Sequence, residues 1–149
     1  MRSKKGFTLI EMMIVIAVIA ILAAVLIPRA GLVQQSAKDT GVEANSRVVI
    51  GVTSQLLPKY SDGGDLRDAI AAKLLTANLM NPATNGQNLG ATAGPTISVV
   101  YSNTVPSGTA ANLKGIVWLT VPDTISDGVY VNCFDNAGVL MSGYPQNIY

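Results

Sequence analysis

A long apolar run lies near the N-terminus of the chain. It reads FTLIEMMIVIAVIAILAAVLI, covers residues 7–27 and contains one charged residue, Glu11. The run is apolar on every side rather than along one stripe, a pattern that belongs to a helix in lipid or in a protein core. As a helix it would be about 31 Å long, close to the thickness of a bilayer's hydrocarbon core, about 30 Å. The pattern predicts a helix over residues 7–27 that lies in a membrane or in a protein core.

An amphipathic pattern follows Pro28. Apolar residues recur there mostly at spacings of three or four among charged and polar ones: Val42, Val48, Val49, Val52, Leu56 and Leu57. This spacing predicts a helix with one buried face over residues 28–57. Because proline removes one backbone hydrogen bond and clashes with the preceding turn, we expect Pro28 to kink a continuing helix.

The remaining residues, 58–149, alternate short periodic segments with turn residues. DLRDAIAAKLLTANL predicts a short helix over residues 65–79 with one apolar face. The polar stretch NPATNGQNLGATAGPT then predicts a loop. Strands are predicted at hairpin spacing over residues 97–101, 115–121, 129–134 and 138–141. The predicted fold class is α+β: a long kinked N-terminal helix whose C-terminal half packs against a small antiparallel sheet in a globular head.

Composition and charge exclude several functions. The chain of 149 residues has no histidine, one cysteine (Cys133) and a net charge of +1. A metal site built on His and Cys and an intrachain disulfide are therefore excluded. Basic residues form no cluster that would bind nucleic acid. GxSxG turns and phosphate-binding glycine loops are missing, so we predict no enzyme and no cofactor. Cys133 shares a strand face with two valines, which predicts a buried thiol.

The residues allow three interpretations of the N-terminal segment. The basic start MRSKKG should stay in the cytoplasm, so that the rest of the chain faces outward. A secretory signal peptide has a shorter apolar region, about 7–15 residues, and a small-x-small cleavage site, which VLIPRAG matches poorly. A plain membrane anchor fits the length but leaves Glu11 unexplained. An acidic residue costs about 2.5–3.5 kcal/mol at mid-span, although less near an end.

The third interpretation comes from a family resemblance. KGFTLIE followed by a long apolar helix resembles the N-terminus of type IV pilins and of type II secretion pseudopilins. The resemblance implies that residues 1–6 are a leader, that prepilin peptidase cleaves between Gly6 and Phe7, and that Phe7 is then N-methylated. Glu11 matches the family's acidic position, four residues beyond the new amine. It also implies that Pro28 marks a segment that loosens in the filament.

The new amine and Glu11 would form an opposite-charge pair in a setting of low dielectric. The pair could form within one chain, because residues four apart on a helix are neighbours. It could also form between chains, where Glu11 of an arriving subunit meets the Phe7 amine of the last one added. The resemblance implies the second arrangement. We therefore expect Glu11, Phe7 and Pro28 to act in assembly.

The expected function is that of a type IV pilin, a structural subunit that polymerises through its N-terminal helix into an extracellular pilus fibre. The implied partners are copies of itself, prepilin peptidase, an inner-membrane assembly platform and a cytoplasmic ATPase, with no nucleic acid. Before assembly the chain would cross the inner membrane once, with its head outward. A major pseudopilin of a type II secretion system and a membrane-tethered binding domain are the alternatives.

The head differs from many members of the family in its cysteine content, and it contains a weak candidate calcium site. Many type IV pilins staple their C-terminal region with a disulfide, which a single cysteine cannot form within one chain. Some major pseudopilins bind calcium instead, through loop carboxylates. Asp123, Asp127 and Asp135 lie in or beside loops and are a weak candidate calcium site. Aspartates are also common turn residues, so the expectation is no metal.

Overall fold

The structure is a computed structural model that describes residues 6–149, apart from the side chains of residues 28–30. Most of the expected leader, residues 1–5, lies outside the described residues. Along the chain the helices are α1 (Leu9–Leu56), α2 (Gly63–Ala77) and α3 (Ala110–Leu113), with 3-10 turns at Leu57–Lys59 and Ile125–Asp127. The strands are β1 (Asn88–Gly90), β2 (Ile97–Ser102), β3 (Val117–Thr120), β4 (Tyr130–Cys133) and β5 (Gln146–Asn147). The α+β class is confirmed.

The chain divides into two compact units, one up to Gln35 and one over Ser36–Tyr149. In the first unit, helix α1 is long and apolar enough over Leu9–Ile27 to cross a membrane, with a mean hydropathy of 3.0, and none of that span is buried. Because water solvates such a surface poorly, lipid or other apolar helices are its natural surroundings. Helix α1 continues through Pro28 to Leu56, and the kink at Pro28 stays a prediction.

In the second unit, one face of α1 is buried at regular spacings of three and four. The buried positions of this face are Val42, Ser46, Val49, Thr53 and Leu56. The buried positions recur every three or four residues, as the amphipathic pattern predicts. Val48, which the pattern included, is exposed. Two polar residues, Ser46 and Thr53, occupy buried positions that the apolar pattern did not mark.

Helix α2 packs into the same core. It buries Leu66, Ile70 and Leu74 completely, and these side chains join α1 and one face of the sheet in a single hydrophobic cluster. The helix begins at Gly63, two residues before the predicted start, because the side chain of Asp62 accepts hydrogen bonds from the N–H groups of the first turn. An oxygen acceptor at this position stabilises a helix start.

The sheet is mixed, so the prediction of a wholly antiparallel sheet is wrong. Its order is β1-β2-β3-β4-β5. The pairs β1/β2 and β2/β3 are parallel, whereas β3/β4 and β4/β5 are antiparallel. A parallel pair needs a long crossover, and the segment between β2 and β3 provides one that includes α3. The predicted loop after α2 also contains the short parallel strand β1.

The predicted fourth strand over residues 138–141 is also wrong. Only an isolated bridge forms in that region, between Phe134 and Leu140. A tight turn connects these two residues, in which Asp135 Oδ1 accepts from the N–H groups of Ala137 and Val139 at 2.8 and 2.9 Å. Gly138 takes a positive φ of 83° there, which favours glycine. The strand that pairs with β4 comes later, at Gln146–Asn147.

Candidate functional site

Glu11 lies in the first turn of α1, and its carboxylate is bound to Thr8 of the same chain. Glu11 Oε2 accepts a hydrogen bond from the backbone N–H of Thr8 at 2.7 Å and another from the Thr8 hydroxyl at 2.8 Å. Thr8 Oγ1 in turn accepts from the N–H of Glu11 at 3.3 Å. These reciprocal bonds form a capping box, which satisfies N–H groups at a helix start that have no partner within the helix.

The capping box uses only one carboxylate oxygen of Glu11. Over residues 6–149, Oε1 accepts no hydrogen bond. Glu11 therefore combines a local role, fixing the start of α1, with a free acceptor on an exposed turn. Thr8 was missed by the sequence reasoning, although a threonine three residues before a glutamate and next to an apolar run is the sequence signal of a capping box.

The peptide bond between Gly6 and Phe7 lies before the helix, which starts at Leu9. Phe7 is 82% exposed, and a Cβ added at Gly6 would meet nothing within 4 Å. Among the described residues, this peptide bond therefore lies outside regular structure and next to exposed side-chain positions, which leaves room for it to enter a peptidase active site. The geometry is thus compatible with cleavage at the expected position.

Comparison with known proteins points to the same segment. The prokaryotic N-terminal methylation motif matches residues 1–27. The type IV wide pilus major component PilA4 of Thermus thermophilus is 64% identical over 44 residues, which are 30% of this chain and 34% of that protein. The chain is thus similar to type IV pilins in its methylation motif and over these 44 residues. The match spans about a third of the length of that curated relative, and no solved structure matches the chain.

The three aspartates of the weak calcium hypothesis have separate contacts in this structure. Asp123 binds Arg67 Nη2 at 2.6 Å and receives a longer bond from Asn103 at 3.3 Å. The hydrogen bond from Arg67, followed by that from Asn103, holds the pKa of Asp123 below its usual value. Asp135 stabilises the turn described above, and Asp127 ends the 3-10 turn before β4.

The described part of the chain, residues 6–149, holds no group of three or more acidic, His or Cys residues that could bind a metal. The calcium hypothesis is not supported, because the three aspartates do not form one group.

Cys133 is fully buried, as predicted. Burial raises the pKa of its thiol, which keeps it protonated and unreactive. The adjacent C-terminal segment is held without a disulfide. The hydroxyl groups of Tyr144 and Ser46 lie 2.7 Å apart, and the N–H of Met141 donates to the carbonyl of Cys133 at 2.8 Å. Hydrogen bonds to α1 and β4 thus hold the C-terminal segment of the head in place.

Proposed function

We propose that this chain is the subunit of a type IV pilus. Prepilin peptidase cleaves between Gly6 and Phe7, Phe7 is N-methylated, and the mature chains polymerise through α1 into an extracellular fibre. One observation carries the proposal: the methylation motif coincides with an uncovered peptide bond directly before a helix that is apolar on all sides. A helix of this kind is suited to lipid before assembly and to a bundle of identical helices after it.

Cleavage changes the electrostatics of the segment. Removing residues 1–6 takes away three of the ten basic residues and leaves nine acidic ones, so that the side-chain charge changes from +1 to −2. It also creates an amine at Phe7. A charge inside an apolar bundle is costly unless it is paired. The amine and Glu11 supply the two halves of such a pair.

The capping box indicates how Glu11 performs both of its roles. Oε2 keeps its bonds to Thr8, which becomes the second residue of the mature chain. Oε1, which accepts no hydrogen bond from the described residues of its own chain, accepts the Phe7 amine of the neighbouring subunit. The arriving subunit thus docks in one register without unwinding its own helix start, and Pro28 gives α1 the freedom to adjust.

The proposed partners are copies of the same chain, prepilin peptidase, an inner-membrane assembly platform and a cytoplasmic ATPase. Before assembly the precursor crosses the inner membrane once, with its basic start in the cytoplasm. Similarity to a wide-pilus component supports a pilus rather than a pseudopilus. A major pseudopilin would share the same N-terminal segment, so the location of the fibre separates the two.

Intact-mass spectrometry of the full chain, expressed with and without its prepilin peptidase, tests the proposal. We expect loss of residues 1–6 and gain of one methyl group only when the peptidase is present. Electron microscopy of sheared cell-surface fibres, with mass identification of the subunit, then separates pilus from pseudopilus. An uncut chain, or a chain cut after Ile27, would overturn the proposal.

A further inference from the structure

A cleft of about 520 Å³ opens in the second unit. It is lined by the segment that follows α1, by residues 124–126 before β4, and by Tyr149. Its volume lies within the range of about 300–1,000 Å³ that is usual for small-ligand sites. The pilin function proposed above makes no use of this cleft.

Hydroxyl groups dominate the polar lining of the cleft. They belong to Tyr60, Ser61, Thr124, Ser126 and Tyr149. A hydroxyl group can both donate and accept a hydrogen bond. In the part of the chain that the structure describes, none of these five makes a side-chain hydrogen bond to another residue. All five are therefore available to a ligand.

The rest of the lining is apolar and uncharged. Leu57, Pro58 and Ile125 contribute aliphatic surface. Two tyrosine rings stand beside them, with Tyr60 36% exposed and Tyr149 62% exposed. Tyrosine combines an apolar ring face with a polar end, so the cleft offers flat apolar surfaces next to unpaired hydroxyls. None of the described residues that line it carries a side-chain charge.

We propose that this cleft binds a neutral saccharide. The C–H faces of a sugar ring pack against aromatic rings, while its hydroxyl groups exchange hydrogen bonds with those of the protein. The other ligand classes fit less well. A phosphate or carboxylate would call for Arg or Lys, and neither lines the cleft. An acyl chain would bury the five hydroxyls without partners, which is unfavourable.

The test uses the full chain in phosphocholine micelles, because detergents with sugar headgroups would compete. Saturation-transfer NMR is recorded with glucose, galactose, mannose, N-acetylglucosamine, maltose and lactose, and each sugar that responds is titrated. We expect saturable binding of at least one of them. Tyr60→Ala and Tyr149→Ala should each weaken that binding about tenfold or more. Tyr60→Phe and Tyr149→Phe, which keep the ring, should lose less.

Val105→Ala is the matched control, since Val105 is 74% exposed and does not line this cleft. It should bind the sugar like the original chain. Circular dichroism shows whether each variant is folded, and Ser126→Ala replaces any tyrosine variant that is not. The proposal is overturned if no sugar binds up to about 10 mM. It is equally overturned if sialylated sugars or peptides bind in preference, or if the cleft variants bind like the control.

Discussion

The two units of this chain use the same helix in opposite ways. Over Leu9–Ile27, no residue of α1 is buried in the described part of the chain. Over Val42–Leu56, it buries a regular face against the head. The first part thus depends on lipid or on other subunits for cover, and the second part depends on contacts within its own chain. Changes in the first part should alter assembly and spare the head, and changes in the second should do the reverse.

The largest expected effect is on fibre assembly, and it should come from a substitution of Glu11. Glutamine also serves in a capping box, so Glu11→Gln keeps the bonds to Thr8 and removes the charge. If the free oxygen pairs with the Phe7 amine of a neighbour, the variant leaves that amine unpaired in an apolar bundle. Such a loss costs about 3–5 kcal/mol, and fibre yield should fall by about 100-fold or more.

Fibre yield in sheared fractions and thermal unfolding of the head are measured together. The melting temperature of the head should not change, because Glu11 lies in the first compact unit and its carboxylate binds Thr8 of the same unit. Glu11→Ala, which loses the cap as well, should assemble no better. Normal fibres from Glu11→Gln would show that the residue acts only as a helix cap.

A core substitution should give the opposite result. Ile70 on α2 is fully buried, whereas Leu75 on the same helix is 68% exposed. Replacing a buried isoleucine by alanine costs about 2–5 kcal/mol, because it removes apolar contacts and leaves a cavity. Ile70→Ala should lower the free energy of unfolding by that amount, as measured by denaturant titration. Leu75→Ala should change it by less than about 0.5 kcal/mol.

Cleavage by the peptidase is the second measurement on these two variants. It should proceed normally in both, because the Gly6–Phe7 bond lies in the other unit. A processing defect in Ile70→Ala would contradict the separation of the two units.

The sequence predicts well that α1 has an apolar first part and an amphipathic second part, because each pattern extends over many residues. An apolar run of that length is compatible with few structures, and the period of the buried face survives the exposure of Val48. The head was harder to predict. The crossover SGTAANLKG contains α3 but has no clear helical period. The sequence therefore predicts β2 and β3 as antiparallel neighbours, whereas the two strands are parallel. Gln146–Asn147 pairs as a strand although neither residue favours one.

At the candidate site, sequence reasoning singled out Glu11 but missed its partner. The family resemblance of TLIE marks Glu11 and implies no role for Thr8. Only the structure shows that one oxygen of Glu11 is already bound. Side-chain hydrogen bonds over three residues are predictable from spacing. The choice of oxygen, and the availability of the other, depend on rotamers that spacing does not reveal.

A smaller effect is expected at Thr8. Thr8→Val keeps the shape of the side chain and removes the hydroxyl that both donates to Glu11 and accepts from its N–H. Loss of an N-cap oxygen costs about 0.5–2 kcal/mol. Amide hydrogen exchange in micelles should accelerate in the first turn of α1 only, and fibre yield should fall less than in Glu11→Gln. Thr8→Ser keeps the hydroxyl oxygen and should behave like the original chain. If amide exchange in the first turn of Thr8→Val were as slow as in the original chain, Thr8 would not act as a helix cap.

The smallest expected effect is on the stability of the head, through two polar residues on the buried face of α1. Replacing one of them should stabilise the head, and replacing the other should destabilise it. Thr53 Oγ1 is buried without a hydrogen-bond partner in the described residues, whereas Ser46 Oγ donates to the carbonyl of Glu43 and contacts Tyr144. An unpaired buried hydroxyl costs about 1–3 kcal/mol, and a paired one contributes about 0.5–1.5 kcal/mol. Thr53→Val should therefore stabilise the head by about 1 kcal/mol, and Ser46→Ala should destabilise it by a similar amount. Denaturant titration of both variants measures this difference. If Thr53→Val destabilised the head, the hydroxyl of Thr53 would have to be hydrogen-bonded in solution. In that case both buried hydroxyl groups on this face of α1 would have hydrogen-bond partners.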